Sequence, residues 1–409
     1  MKHTYRQIIT HHSNRHMSWL LLSLLLLCLT ACSSSDDVPI SDIPGDELEN
    51  KTPTQLYIYV HAPQTAVPTR AYTGDVDPIG NEAMVYSLQI WAFTHVSNKL
   101  IGYFSPSETS ALNRPSGYEV FQLTVDEEYA KTEALRENVD VYVLANVEAG
   151  NCHLTLDQTT TRAQLEAAVL GTEDAFGLTA PVAAVPENMG LPMSGVLRNK
   201  PVTGSAPVLR LDDGGQMAQV SLIRTVSKLR FAFARQTDSE ALIINSIKLN
   251  TNMIPEEQYL FMADGAPYDR RTCHIKTESG YNTTTPELLA ATINDVPTIE
   301  QPVIYAWGHE ELEPQAYEHM LDVAAAEGNL AQRLYYLRES DKQLQGEIKY
   351  QIGDGEEQTA SFKMVDEGGF SRNHIWTVYA YQAQARLHVV VVDIAPWKTT
   401  ETNYDFYNW

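Results

Sequence analysis

After residue 53 the chain reads as strands and turns, with segments in which apolar and polar residues alternate with period two. In TQLYIYVHA (54–62), Leu56, Ile58 and Val60 share one parity, which predicts a strand of roughly 30 Å with those three side chains facing a core. VYSLQIWAF (85–93) sets Leu88, Ile90 and Ala92 against Gln89, Trp91 and Phe93. EVFQLTV (119–125) alternates Phe121, Leu123 and Val125, and VDVYVLANV (139–147) is β-branched and aromatic throughout. MAQVSLIRTVSKLRFAFAR (217–235) carries Val220 and Leu222 on one parity but Leu229, Phe231 and Phe233 on the other, so a bend or bulge is expected near Thr225. LIINSIKLNT, QYLFM, PVIYAW, GEIKYQI, TASFKMV, HIWTVYAYQA and LHVVVVDIAPW extend the β pattern toward the C-terminus.

Helical periodicity is rare. TTTRAQLEAAVLG (159–171) predicts one helix, with Thr161 as N-cap, Gln164 completing a capping box, and Leu165, Ala168 and Val169 on one face. AYEHMLDVAAAEGNLAQRLYYL (316–337) has room for a second. Many short strands with turn signals between them predict an all-β sandwich, and no repeat of solenoid or propeller length is present. Residues 172–207 are loop-rich, and the Asp213-Gly214-Gly215 turn is the expected boundary between two domains, 54–212 and 213–409.

The first residues do not belong to this pattern. Lys2, Arg6 and Arg15 precede the apolar run WLLLSLLLLCL (19–29), which is too short for a membrane-spanning helix and suits a secretory signal. It ends in LTAC, which resembles a lipobox: cleavage between Ala31 and Cys32 would leave Cys32 to carry lipid. Residues 32–53 then read as a flexible acidic tether, and SSSDD within it resembles the surface-export tag of Bacteroides-group lipoproteins.

Charge narrows the partners. The chain has 29 Lys and Arg against 52 Asp and Glu. Removing residues 1–31 takes away three basic residues and no acid, so the net charge moves from −23 to −26. Such a surface repels nucleic acid, and none is expected as a partner. Cys28 leaves with the signal, and Cys152 and Cys273 read as two unpaired thiols far apart in sequence.

No catalytic constellation emerges. His309 and His319 in HEELEPQAYEH stand ten apart with Pro314 between them, not four apart on one helical face, so a solvated acidic loop is expected rather than a metal site. GDGEEQ (353–358) and ADGAPYD (263–269) read as hairpin turns rather than calcium loops. PMSGV (192–196) lacks the pattern of a nucleophile elbow. The tryptophans Trp91, Trp307, Trp376, Trp397 and Trp409 suit either a sandwich core or a sugar-stacking platform, with core the plainer reading. No enzyme, metal or cofactor is expected.

Several segments together resemble the fimbrillin family, the subunits of type V pili in the Bacteroides group. They are LTAC with its tether, LPMSG (191–195), VSLIRTVSKLRF (220–231) and SRNHIWTVYAY (371–381), in that order across nearly all of the mature chain. Each also has a plain structural reading: Arg224 and Lys228 as charges on a strand surface, Met193 as a core plug, and Asn373 in a left-handed turn.

The resemblance implies two tandem transthyretin-like Greek-key β-sandwich domains with one or two short helices. It also implies assembly by strand exchange. The first strand, 54–62 with Leu56, Ile58 and Val60, would fill a groove until an arginine-specific protease cuts in the loop 63–74. Arg70-Ala71 fits that cut, because Arg114 precedes a proline and Arg162 opens a helix. The tail 398–409, with Tyr404, Phe406 and Trp409, would serve as a donor strand or dock in its own domain. The implied partners are other pilus subunits, the protease, a surface receptor, and the outer membrane through the lipid on Cys32. Localisation would pass from the outer membrane to the fimbria. An uncleaved anchor subunit and a monomeric glycan-binding lipoprotein are the alternative readings.

Overall fold

The computed structural model describes residues 53–61, 82, 84–105, 114–115, 118–131, 136–147, 154–170, 185, 190–262, 273–284, 287–299, 332–363, 369–383 and 385–396. The chain is all-β. Its first half contains β1 (Gln55–His61), β2 (Met84–Val85), β3 (Leu88–Thr94), β4 (Leu100–Phe104), β5 (Arg114–Pro115), β6 (Tyr118–Thr124), β7 (Val139–Ala145), β8 (Val169–Leu170), β9 (Met193–Lys200), β10 (Val202–Ser205), β11 (Val208–Asp213), β12 (Gln216–Met217), β13 (Gln219–Ser221) and β14 (Ile223–Arg224). The second half contains β15 (Val226–Gln236), β16 (Leu242–Leu249), β17 (Gln258–Tyr259), β18 (Thr298–Ile299), β19 (Gln332–Arg338), β20 (Gln345–Ile352), β21 (Gln358–Lys363), β22 (His374–Ala383) and β23 (Arg386–Pro396). The α-helices among the described residues are short, α1 (Glu127–Lys131) and α2 (Arg162–Glu166).

In the first half two sheets face each other. One centres on β1, with β6 on one side and β11 and β13 on the other; the second runs β14-β9-β7-β3-β4. Leu56, Ile58, Leu123, Leu209 and Val220 from the first meet Ile90, Ala92, Val141, Val143 and Met193 from the second in one apolar cluster. The alternation of β3 explains its burial on both faces. Leu88, Ile90 and Ala92 enter this cluster, while Trp91 and Phe93 enter another with Tyr142, Leu144, Leu165, Leu260 and Phe261.

The second half repeats the plan. β15 lies between β19, antiparallel, and β22, parallel, just as β1 lies between β6, antiparallel, and β11 and β13, parallel. The facing sheet is β16-β20-β21. In β16, Leu242 and Ile244 precede a register shift, and Ile247 and Leu249 follow it. The bulge is why apolar residues of opposite parity all reach the same core.

Several expectations change. The turn at Asp213-Gly214-Gly215 does not separate the halves. It joins β11 to β12, and β13 beyond it returns to pair with β1. The change of sheet comes at Thr225, where the bend was expected: its N–H and hydroxyl both donate to the Pro192 carbonyl, at 2.8 and 3.1 Å. The helix at 159–171 is shorter than expected. Thr161 and Gln164 do form the capping box, but α2 ends at Glu166, because Val169 and Leu170 pair with Tyr259 and Gln258. The end of the 316–337 stretch is strand β19, not helix, and residues 316–331 lie outside the described residues.

Candidate functional site

β1 is the first strand among the described residues, yet it is a central one. Seven of its residues pair antiparallel with β6, from Gln55 opposite Thr124 to His61 opposite Tyr118. On the other edge Gln55–Tyr57 pair parallel with Val208–Arg210, and Tyr59–His61 pair parallel with Gln219–Ser221. Leu56 and Ile58 have no exposed surface and Val60 has 3%. Burying three such side chains contributes roughly 1.5–3 kcal/mol each. Were β1 withdrawn, β6 would face β11 and β13 across a slot one strand wide, with unpaired backbone groups on both walls.

LPMSG builds one end of that arrangement. The Leu191 carbonyl accepts from Asn146 Nδ2 at 2.8 Å, and the Pro192 carbonyl holds Thr225. Met193 is fully buried in the first core, as a plug should be. Ser194 Oγ donates to the Leu260 carbonyl at 2.6 Å and is thereby committed to structure. A Cβ on Gly195 would lie 2.7 Å from both the Ser221 carbonyl oxygen and Val220 Cγ1, so only glycine lets β9 pass this close to β13.

The two other motifs meet at a buried ionic junction. Arg224 and Lys228 are not surface charges: neither has any exposed surface, and Arg230 has 3%. Lys228 Nζ pairs with Glu82 Oε1 at 2.7 Å, and Tyr336, directly opposite Lys228 across β15 and β19, donates its hydroxyl to the same oxygen. Arg224 Nε donates to the Glu82 carbonyl at 3.0 Å, and its Nη1 reaches Asn373 Oδ1 at 3.3 Å. Arg230 Nε donates across the ladder to Thr377 Oγ1 at 3.0 Å. Desolvation lowers Lys228 to about 8, against the opposing pull of Glu82, and lowers Arg224 to about 10.

SRNH closes the junction. Asn373 adopts φ 51°, the left-handed turn expected of it, and its N–H donates to the Val226 carbonyl at 2.9 Å. Ser227 Oγ donates to the Ser371 carbonyl. Arg372, 1% exposed, donates Nε to Glu339 Oε1 at 2.9 Å and Nη1 to the Leu260 carbonyl at 2.8 Å. The arrangement binds parts of the chain to one another, and nothing in it supplies a nucleophile with an adjacent base.

Other expected sites divide by where they fall. Ala31, Cys32, Arg70, Ala71, Cys152, His309, His319, Trp307, Trp397, Tyr404, Phe406 and Trp409 lie outside the described residues. Trp91 and Trp376 are core residues, at 0% and 2% exposure. Cys273 is unpaired, its Sγ lies 3.1 Å from the Ser340 carbonyl, and burial pushes its thiol pKa up. The Gly353 turn joins β20 to β21 as a hairpin. Among the described residues, no group of three or more His, Cys, Asp or Glu is placed to hold a metal ion.

No protein-family model matches the chain, and no curated protein matches it. Solved structures do. The tip fimbrial protein Mfa3 of Porphyromonas gingivalis, truncated at its C-terminus, aligns at 12% identity and TM-score 0.45, covering 84% of this chain and all of its own length. A protein of Parabacteroides distasonis described as a cell adhesion protein aligns at 16% and 0.48, covering 85% and 99%. One of Bacteroides thetaiotaomicron, described as polysaccharide-binding, aligns at 11% and 0.36, covering 83% and 95%.

Proposed function

We propose that this protein is a structural, adhesive subunit of a surface fimbria. It is exported as a lipoprotein precursor through Cys32 and assembled by strand exchange after cleavage between Arg70 and Ala71. The observation that carries the reading is the position of β1. It is a central strand paired along both edges, its apolar side chains fill a core, and every other described element follows it in the chain. One cut in 62–81 would sever it from all of those elements. β15 holds the equivalent place in the second half but is continuous with folded chain on both sides, so no single cut frees it.

Concentration drives the exchange. While attached, β1 competes for its slot at roughly millimolar effective concentration, and after cleavage it competes as a dilute peptide. A donor strand that pairs with both walls and offers apolar residues on one parity then replaces it. The tail 398–409 takes that role in a neighbouring subunit or docks in its own domain, with Tyr404 and Phe406 on one parity and Trp409 on the other. The buried junction supports the reading because Glu82 follows the cut. Its pairing with Lys228 and Tyr336 holds the new N-terminal segment to the body once β1 has gone.

The test is to treat purified residues 33–409 with an arginine-specific protease, sequence the new N-terminus and follow oligomers by size-exclusion chromatography. A terminus at Ala71 with polymer growth is expected. Resistance to cleavage would instead favour an uncleaved anchor subunit, and clean cleavage without assembly would overturn strand exchange.

A further inference from the structure

Two large apolar side chains that stay exposed, Val120 at 47% and Val208 at 43%, lie on one face of one sheet. It is the outer face of the β1 sheet, opposite the side that carries Leu56, Ile58 and Val60. Register sets out its centre. Tyr57 lies between Arg210 of β11 and Gln122 of β6, and Tyr59 lies between Gln219 of β13 and Val120. Both tyrosines are half-buried. Thr203 and Ser205 extend the face along β10, opposite Arg210 and Val208. The patch is flat and nearly uncharged. Arg210 is its charged side chain, and none of the others is acidic, in a chain with 52 acidic residues. Asp212 follows on the same parity of β11, but its Oδ2 accepts from the Gly215 N–H at 3.2 Å, at the turn that leaves the strand.

We propose that this face packs on the same face of a second copy of the chain, as a weak two-fold dimer of the uncleaved precursor. Charge selects the partner. Two copies with a net charge of −26 each repel over most of their surfaces, and they meet at least cost where neither presents a carboxylate. An acidic partner would find one arginine to pair with, and an apolar helix would find no groove. A second sheet face of the same make fits, with the two sheets about 10 Å apart. A two-fold axis along β1 sets β11 of one copy over β6 of the other. Arg210 then faces the amide of a Gln122 instead of a second arginine, and the tyrosines meet at the centre. Size sets the strength. Four strands about 4.8 Å apart and rows of side chains about 7 Å apart give roughly 400 Å² per copy. That is about half the area of a stable interface, so the dimer is transient. On the strand-exchange reading the cut removes Tyr57 and Tyr59 with β1, so the contact belongs to the precursor.

Sedimentation equilibrium of residues 33–409 carrying Arg70→Ala tests the proposal. That chain is not cut at Arg70, so its self-association is read separately from strand exchange, and failure of either leaves the other standing. A monomer–dimer equilibrium is expected, with a dissociation constant on the order of 0.1 mM. Salt should tighten it several-fold, because screening removes the repulsion between the acidic surfaces while the contact itself is uncharged. Val120→Glu and Val208→Glu each place a carboxylate in the patch from an exposed position. Each should weaken the dimer at least tenfold and leave the melting temperature unchanged. Thr359→Glu adds the same charge on β21 in the other half, opposite Lys349, and should leave association as it was. A chain that stays monomeric at millimolar concentration, a dimer that loosens with salt, or a dimer that survives both valine substitutions would overturn the assignment. So would equal weakening by Thr359→Glu.

Discussion

Lys228 and Glu82 form an ion pair at 2.7 Å with no exposed surface on either side chain, although 146 residues separate them in the chain. Removing two charges from water is unfavourable, and their attraction offsets it only with further hydrogen bonds. Tyr336 supplies one to the carboxylate, and Arg224 binds the Glu82 carbonyl. The pair ties the segment after β1 to β15, the strand that begins the second half.

Deleting one partner should therefore be far worse than deleting both. Lys228→Met is expected to lose about 3–5 kcal/mol, because it strands a buried carboxylate. Adding Glu82→Leu to Lys228→Met should recover most of that loss. Urea denaturation of the wild type, both single variants and the double variant measures the cycle; equal losses from single and double variants would count against an isolated pair.

Stability should carry a proton-linked signature of Lys228. Desolvation lowers this lysine to about 8 from 10.5, so between those pH values the unfolded chain binds its proton more readily than the folded one. Folding is then favoured as pH rises through that window, by about 3 kcal/mol at most. Glu82, Arg224, Arg230 and Tyr336 face the same ammonium and are unchanged in Lys228→Met. Wild-type stability minus that of Lys228→Met should rise from pH 8 to 10.5 in denaturant titrations, and a flat difference would refute the shift.

Gly195 should not tolerate a side chain. A Cβ at 2.7 Å from the Ser221 oxygen and Val220 Cγ1 forces β9 and β13 apart. Gly195→Ala is expected to cost about 1–3 kcal/mol. Because β13 forms one wall of the β1 slot, hydrogen exchange in β1 should also accelerate.

Asn373 at φ 51° separates two roles of one residue. Asn373→Gly keeps the turn and loses the Arg224 contact, whereas Asn373→Val loses both. Valine should melt lower than glycine by about 1–2 kcal/mol of stability, since left-handed backbone is unfavourable for a residue with Cβ. Identical melting of the two variants would mean that the turn itself contributes nothing.

A carboxylate in the slot should loosen it. Ile58→Asp places a charge at a position with no exposed surface, and a loss of more than 4 kcal/mol is expected in the uncleaved chain. Arg70→Ala, in contrast, should leave stability unchanged and block polymer formation. Normal fibres from Arg70→Ala would rule out processing at that site.

Short-range patterns made part of this architecture legible. The parity of Leu56, Ile58 and Val60 named the buried face of β1, because side chains on a strand alternate strictly. The switch of parity around Thr225 marked the change of sheet. The capping box at Thr161 and Gln164 formed as its spacing implied, although the helix stopped early once Val169 and Leu170 found partners at Tyr259 and Gln258. The cluster around Glu166 was not legible, since Glu166, Tyr142 and Arg198 come from separate elements and none carries a motif.

By itself, the sequence determined the local terms: the all-β pattern, the inward face of β1, the break at Thr225 and the left-handed Asn373. These depend on neighbours a few residues away. Only the tertiary structure decided that β1 lies between β6 and the pair β11 and β13, and that Arg224, Lys228 and Arg230 are buried. Strand neighbours come from distant parts of the chain, and a charge in a strand reads as a surface charge until its counter-ion is located. In a chain with 52 acidic residues, nothing local distinguishes Glu82 from the rest; its place beside Lys228 follows from the packing of β15 and β19 around it.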